Sequence, residues 1–295
     1  MMKKAGYYIF FALNYVVTLL PLRVLYLFSD LTHPLMYHIF RYRRRVVEKN
    51  LENAFPEKST RELRKIGRAF YRHLCDLFVE TLKTTHMSHR EIKRRFDAGA
   101  LSAYDHYFTE GRDIVTLSSH YNNWEWFSAL QMATPYKVIT IYKPLKNKYF
   151  DRFLLNLRTR YGVSVTPMHR ILRELVTCRR DNVRTMSGFI ADQTPPPDEN
   201  AFWTLFLNQE TGFYRGAEKV AVKYGMPVVF INIDKVKRGY YKLDFKVITE
   251  HPSDETPDYI TSRYAQMLEE VIRAKPEYWL WSHRRWKYKK PVKND

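Results

Sequence analysis

Apolar side chains recur at helical intervals through residues 59–85, where Leu63, Ile66, Phe70, Leu74, Leu77, Phe78 and Leu82 fall on one face. Ser59-Thr60-Arg61-Glu62 precedes that run with the spacing of a capping box, so the pattern predicts a helix there. Ser88-His89-Arg90-Glu91 opens a second, shorter one. After Gly111 the period switches between two and 3.6. Ile114 to Leu117 reads as a strand, 123–133 as a helix, Lys137 to Tyr142 as a strand, and 147–161 as a helix stopped by Gly162. Val163 to Val165, Thr185 to Ala191 and Val228 to Ile233 continue the strands, with helices at 168–180 and 215–224, the latter closed by Gly225. Lys242 to Ile248 alternates as a further strand, and 257–274 closes the chain as a helix. This alternation predicts an α/β fold with a mostly parallel central sheet flanked by helices. Only Asp192 to Phe213, with Pro195-Pro196-Pro197, lacks a period; it is expected to be one long irregular loop, a lid or binding segment.

The N-terminus differs. Ala5 to Leu22 is 18 residues without a charge, between Lys3-Lys4 and Arg23. One helix of that length is about 27 Å, just short of a hydrocarbon core of about 30 Å. No small-x-small cleavage site follows and apolar character resumes at Val24 to Phe28, so the segment is expected to stay attached. Pro21 and Arg23 argue for a bend, which sets a helix lying in the interface against a true span. In a spanning arrangement, Arg41, Arg43, Arg44 and Arg45 would keep the rest of the chain on the cytoplasmic side.

Charge narrows the class of partner. The 295 residues carry 49 Lys+Arg against 31 Asp+Glu, a formal +18, and 45% are hydrophobic, enough to build a core. Nucleic acid, anionic lipid and an acidic protein are the anionic partners this charge suits. The basic residues cluster, at Arg41 to Arg45 and again at Arg284, Arg285, Lys287, Lys289, Lys290 and Lys293. No RRM, KH, helix-turn-helix or zinc-finger signature is present, which disfavours a nucleic-acid binder. Cys75 and Cys178 are too few for a disulfide framework and lack the spacing of a zinc site.

The candidate chemistry lies in Ser118-Ser119-His120-Tyr121-Asn122-Asn123-Trp124-Glu125, directly after the first core strand. A histidine with a carboxylate five positions on also occurs at His86 with Glu91 and His169 with Glu174, so spacing alone does not choose. On one continuous helix five residues turn a side chain by about 140°, which counts against His169 and Glu174. His120 sits where the chain bends out of a strand, with Asn122 or Asn123 placed to cap the next helix, and strand C-terminal ends are where ligands bind in open α/β sheets. A catalytic dyad of His120 and Glu125 stands there beside a plainer reading, a strand-end polar residue followed by a helix-start carboxylate. Neither serine lies in a G-x-S-x-G elbow, His86-Met87-Ser88-His89 offers no third metal ligand, and Walker A and dinucleotide fingerprints are absent. No metal and no cofactor is expected.

Taken with the neighbouring segments, the box resembles that of the late acyltransferases of lipid A biosynthesis, within the lysophospholipid acyltransferase superfamily. The resemblance runs through Arg44-Arg45-Val46-Val47-Glu48-Lys49-Asn50-Leu51-Glu52-Asn53-Ala54-Phe55-Pro56, His120 to Glu125 as an H-x4-D/E box, and Tyr142-Lys143-Pro144-Leu145-Lys146-Asn147. It continues in Ala191-Asp192-Gln193, Gly216-Ala217 to Pro227-Val228-Val229, and Trp279-Leu280-Trp281-Ser282-His283-Arg284-Arg285-Trp286-Lys287. The E-G-T-R block of glycerolipid acyltransferases is absent, with Asp192-Gln193 in the comparable region. Lys143 stands where the family usually has arginine, and the box lacks the family's glycines.

The resemblance implies a glycerol-3-phosphate acyltransferase-like fold, with an N-terminal hydrophobic helix in a membrane-anchoring segment at 1–40 and an acyltransferase domain at 41–295. It implies transfer of a fatty acyl group from an acyl carrier protein thioester to a hydroxyl of a lipid A precursor, at the inner membrane, on its cytoplasmic side. His120 would be the general base and Glu125 would hold its ring. Oxyanion donors would come from backbone amides near Asn122 and from Arg158 or Arg160, while Asn123, Lys143, Asp192 and Arg215 are further substrate-site candidates. Asp192 has an equally good reading as a strand-end turn residue. The basic surface would meet the acidic carrier protein, precursor phosphates and anionic lipids, and Trp279, Trp281 and Trp286 would lie at the headgroups or at a core edge. The box leaves open another lipid acceptor: a glycolipid, an aminolipid or a lysophospholipid.

Overall fold

The computed structural model of the chain describes residues 2–196 and 201–291; Pro197 of the proline run and Lys293 of the basic tail lie outside them. The described strands are β1 (Phe96–Asp97), β2 (Ile114–Ser118), β3 (Lys137–Tyr142), β4 (Ser164–Pro167), β5 (Thr185–Ile190), β6 (Ala201–Phe206), β7 (Gln209–Tyr214), β8 (Val228–Lys237) and β9 (Tyr240–Thr249). Seven of them form one sheet in the order β1-β9-β8-β2-β5-β3-β4. Every pairing in it is parallel except the β8–β9 hairpin. The mixed α/β architecture and the mostly parallel central sheet thus match the sequence pattern.

The helices are α1 (Met2–Val17), α2 (Leu22–Pro34), α3 (Arg44–Ala54), α4 (Thr60–Lys83), α5 (His89–Arg95), α6 (Asp105–Thr109), α7 (Lys148–Thr159), α8 (Ile171–Arg180), α9 (Gly216–Tyr224) and α10 (Tyr259–Ala274). They cover both faces of the sheet, and side-chain alternation sorts the strands between two cores. Val115, Leu117, Ile139, Val228 and Phe230 join one core with Leu175, Val220, Tyr264 and Leu268. Ile114, Val138, Met186, Val229 and Ile231 join the other with Leu22, Leu25, Trp126 and Phe127. Strand β2, fourth of the seven in the sheet, is buried at all five positions. Helix α4, about 36 Å long, starts at the predicted capping box: Ser59 Oγ accepts from Glu62 N, and the Glu62 carboxylate accepts from Ser59 N.

Four expectations change. The 123–133 helix is 3-10 structure at Trp124–Ala133. Its start is uncapped, because the Asn123 side chain is drawn elsewhere. The irregular 192–213 stretch holds an antiparallel hairpin, β6 with β7, turned by Leu207 and Asn208 at φ of 49° and 61°. A two-residue turn with both φ positive normally announces itself as Asn-Gly; here Leu207 is fully buried and its amide is held by Glu269, so burial imposes the geometry. Trp279 and Trp281 are buried core residues with Trp286 packed against them, which resolves the C-terminal aromatics as a core edge.

The fourth change is the N-terminus. The uncharged stretch is split between α1 and α2, and no helix of the described residues is long and apolar enough to cross a membrane. Pro21 lacks an N–H and precedes α2, while buried Lys83 donates to the freed carbonyls of Thr18 and Leu20 at the corner. Helix α1 packs rings of Phe10 onto Phe150 and Phe153 of α7. Its other side is bare: Tyr8, Ile9, Leu13 and Val16 are exposed, as are Leu19 and, on α2, Leu27 and Leu31.

Candidate active site

The sheet brings two side chains together by register. Ser118 at the end of β2 is paired with Ile190 at the end of β5, and Ala191 N continues the ladder to Ser118 O at 3.1 Å. His120 and Asp192 therefore each lie two residues past the same rung. His120 Nδ1 donates to Asp192 Oδ1 at 2.7 Å and His120 N donates to Asp192 Oδ2 at 2.9 Å. Trp279 Nε1 gives Oδ2 a second donor at 2.8 Å. Asp192 is 2% exposed. Burial alone would raise its pKa, but the His120 ring and these donors hold it below the usual carboxylate range.

This corrects the expected dyad. The carboxylate on the His120 ring belongs to Asp192, and Glu125 faces Arg158 in a two-toothed pair: Arg158 Nε to Oε2 at 2.9 Å and Nη2 to Oε1 at 2.6 Å. Burial pushes Glu125 up, and the Arg158 charge and bonds, with a smaller push from His120, bring it below the carboxylate range. The reason is the 3-10 path after Asn123, which carries Glu125 toward the end of α7 instead of back along the ring. The other His–Glu spacings separate as well. His86 Nδ1 meets Thr18 Oγ1 while Glu91 pairs with Arg95, and Glu174 pairs with Lys137.

With Nδ1 donating to Asp192, the ring keeps its lone pair on Nε2, where Gln193 Nε2 donates to it at 3.1 Å. The Trp124 ring packs edge-on against His120. Asn122 takes a positive φ of 52°, which lets the chain reverse directly after the histidine. Its backbone N–H is committed to Tyr278 O and its side chain to Ile233 O, so Asn122 N is removed from the expected oxyanion donors. Asn123 is buried and its side-chain amide donates to Glu80. Arg160 is exposed and reaches Met87 O, Lys143 is exposed on the loop after β3, and Arg215 pairs with Asp258. Of the expected site residues, the structure gathers His120, Asp192, Glu125 and Arg158. It adds Gln193 and Trp279, whose signal in sequence was their place inside the quoted Ala191-Asp192-Gln193 and Trp279–Lys287 segments.

His283 closes the site's flank: Thr194 N donates to its Nε2 at 3.2 Å. Burial, reinforced by Arg285, His120 and Arg43, lowers its pKa from 6.5 to about 4, against a pull from Asp192. The folded protein keeps this ring neutral while the unfolded chain protonates it below about 6.5, so unfolding takes up a proton in that window. Stability is expected to fall as pH drops from about 6.5 to about 4, and the fall in Tm to be shallower in His283→Asn; equal slopes by calorimetry would exclude His283 as the cause. Among the described residues no group of three His, Cys, Asp or Glu side chains could hold a metal ion.

The family model for "Bacterial lipid A biosynthesis acyltransferase" matches residues 1–288. The chain is 23% identical over 287 residues to the lipid A biosynthesis lauroyltransferase of Escherichia coli (strain K12), covering 93% of this chain and 92% of that protein. With the same coverage it is 22% identical to the lipid A biosynthesis palmitoleoyltransferase of Escherichia coli (strain K12). A lipid A biosynthesis acyltransferase of Shigella flexneri is likewise 22% identical over 287 residues.

Proposed function

Because this chain belongs to the bacterial lipid A biosynthesis acyltransferase family, a family of O-acyltransferases, we propose that it moves a fatty acyl group from an acyl carrier protein thioester to a hydroxyl of a lipid A precursor. The observation that carries the mechanism is the His120–Asp192 pair at the ends of adjacent strands, which leaves Nε2 as the ring's acceptor. The acceptor hydroxyl displaces the Gln193 amide from Nε2. As its oxygen attacks the thioester carbonyl, Nε2 takes the hydroxyl proton, and Asp192 stabilises the imidazolium that forms. Collapse of the tetrahedral intermediate expels the carrier thiolate, which receives that proton from Nε2. Ester and thiol are the products, and no covalent enzyme intermediate is needed.

The oxyanion needs donors. Arg158 spends Nε and Nη2 on Glu125, which fixes the guanidinium plane, and we assign its remaining Nη1 group to the developing charge. Glu125 thus serves by aiming Arg158. The test is acyl transfer by the purified protein from acyl carrier protein to a lipid A precursor. Transfer to a glycolipid, aminolipid or lysophospholipid with none to the precursor would replace the acceptor and leave the chemistry in place.

We further propose the division into a membrane-anchoring segment at 1–40 and an acyltransferase domain at 41–295, with a glycerol-3-phosphate acyltransferase-like fold, held on the cytoplasmic side of the inner membrane. The exposed apolar side chains of α1 and α2 support an interfacial anchor, and Arg41 to Arg45 follow it directly, where lipid phosphates would meet them. Leu13 and Leu27 are 61% and 67% exposed, so glutamate there leaves the core intact. The double variant Leu13→Glu with Leu27→Glu is expected to weaken co-sedimentation with phosphatidylglycerol-containing vesicles by about 100-fold or more, since each buried leucine is worth roughly 1.5–3 kcal/mol. Unchanged binding would remove this surface from the anchor.

A further inference from the structure

Glu80, in α4, has no exposed surface, yet its carboxylate is not used by the reaction described above. Three donors converge on it. Tyr26 Oη reaches Oε1 at 2.7 Å, and Asn123 Nδ2 and Tyr241 Oη reach Oε2 at 2.6 and 2.8 Å. They come from α2, from the turn after His120, and from β9. A carboxylate sealed from water is costly unless its lone pairs are filled, and here the filling is done by three separate parts of the fold.

The Asn123 bond matters most for the site. The turn from His120 to Glu125 is pinned residue by residue: His120 N by Asp192, Asn122 N by Tyr278 O, Asn122 Nδ2 by Ile233 O, and Asn123 Nδ2 by Glu80. The first three precede the point where the chain enters its 3-10 path. The last stands at that point, immediately before the segment that carries Glu125 to Arg158. Thr84, on the next turn past Glu80, accepts from Trp126 Nε1 at 3.2 Å, so the same stretch holds the segment on both sides of Glu125.

We propose that Glu80 is a positioning residue: through Asn123 it sets the path on which His120 and Glu125 are held relative to Asp192 and Arg158. The proposal rests on the reading of His120 as general base. Sites tolerate little slack, and a misplacement of about 1 Å is worth about 10² in rate. Glu80→Gln keeps the shape, with its carbonyl toward Asn123 and Tyr241 and its amide toward Tyr26 Oη, which can accept. Glu80→Leu keeps volume and loses every bond.

The experiment compares wild type, Glu80→Gln and Glu80→Leu in acyl transfer and in nitrogen NMR of the His120 ring without substrate. Glu80→Leu is expected to lose about 10² in kcat with KM for the acyl donor changed less than about twofold, and to shift the ring signals. Glu80→Gln is expected within about threefold of wild type, with unshifted signals. Near-normal kcat in Glu80→Leu, or Glu80→Gln as impaired as Glu80→Leu, overturns the proposal. Should Glu80→Leu not fold, Asn123→Asp sets two carboxylates face to face, and Glu80→Gln with Asn123→Asp restores one bond with donor and acceptor exchanged. Recovery of about tenfold or more over Asn123→Asp supports the proposal, and none overturns it. If wild type acylates no lipid A precursor while the ring signals still move in Glu80→Leu alone, the functional reading fails and the positioning role stands.

Discussion

His120→Ala is expected to lower kcat for acyl transfer by about 10²–10⁴, the usual worth of a positioned base, with KM for the acyl donor nearly unchanged. The ring is a spatially small contribution to the fold. Its Nδ1 bond goes to Asp192, its Nε2 meets a single amide, and the backbone N–H that Asp192 also accepts survives the substitution. The substitution also leaves Oδ1 of buried Asp192 without its ring donor, so the melting temperature is expected to fall and the loss in kcat is read on the protein that remains folded. A variant that turned over within about tenfold of wild type would take His120 out of the mechanism.

The fold was readable because the strands announce themselves twice. Ile114 to Leu117 and Val228 to Ile233 are near-continuous apolar runs, as parallel strands covered on both faces must be, and the helices between them carry a 3.6 period. The hairpin β6–β7 was not readable, since Leu207-Asn208 has none of the glycine that its turn geometry favours and is held by Glu269 and Ala54 from distant parts of the chain. The break at residues 18–21 could be suspected from Pro21, but not the buried Lys83 that caps the corner from 60-odd residues away.

At the candidate site, sequence reasoning singled out His120 and expected Glu125 on its ring, where the fold places Asp192. Spacing along the chain made Glu125 the natural partner, whereas the pairing is fixed by the adjacency of β2 and β5, which depends on strand order and not on separation in sequence. A strand-end Asp following Thr185 to Ala191 carries the same local signature as a turn residue. What distinguishes it is its set of donors, the ring and amide of His120 and the indole of Trp279, from two distant places that only the folded chain brings together.

Asp192→Asn is the substitution that separates the two carboxylates, and it is expected to lower kcat by about 10²–10⁴. In the native site Oδ2 accepts from two N–H groups and Oδ1 accepts from the ring. An asparagine keeps its carbonyl against the two donors, because the reverse orientation would set its amide against both. Its amide then faces Nδ1, which must become the acceptor, and the ring proton moves to Nε2. A ring protonated at Nε2 is unable to take the hydroxyl proton. Nitrogen NMR of His120 is expected to show that tautomer change in Asp192→Asn and to leave it unchanged in Glu125→Gln. Because Glu125 bonds Arg158 and not the ring, Glu125→Gln is expected to cost only about tenfold, through a less firmly aimed guanidinium. Arg158→Ala, which removes the proposed oxyanion donor itself, is expected to cost about 10²–10³. If Glu125→Gln fell as far as Asp192→Asn and moved the ring proton with it, the orienting role would return to Glu125, and the short Nδ1–Asp192 contact would be a resting arrangement that the bound acceptor breaks.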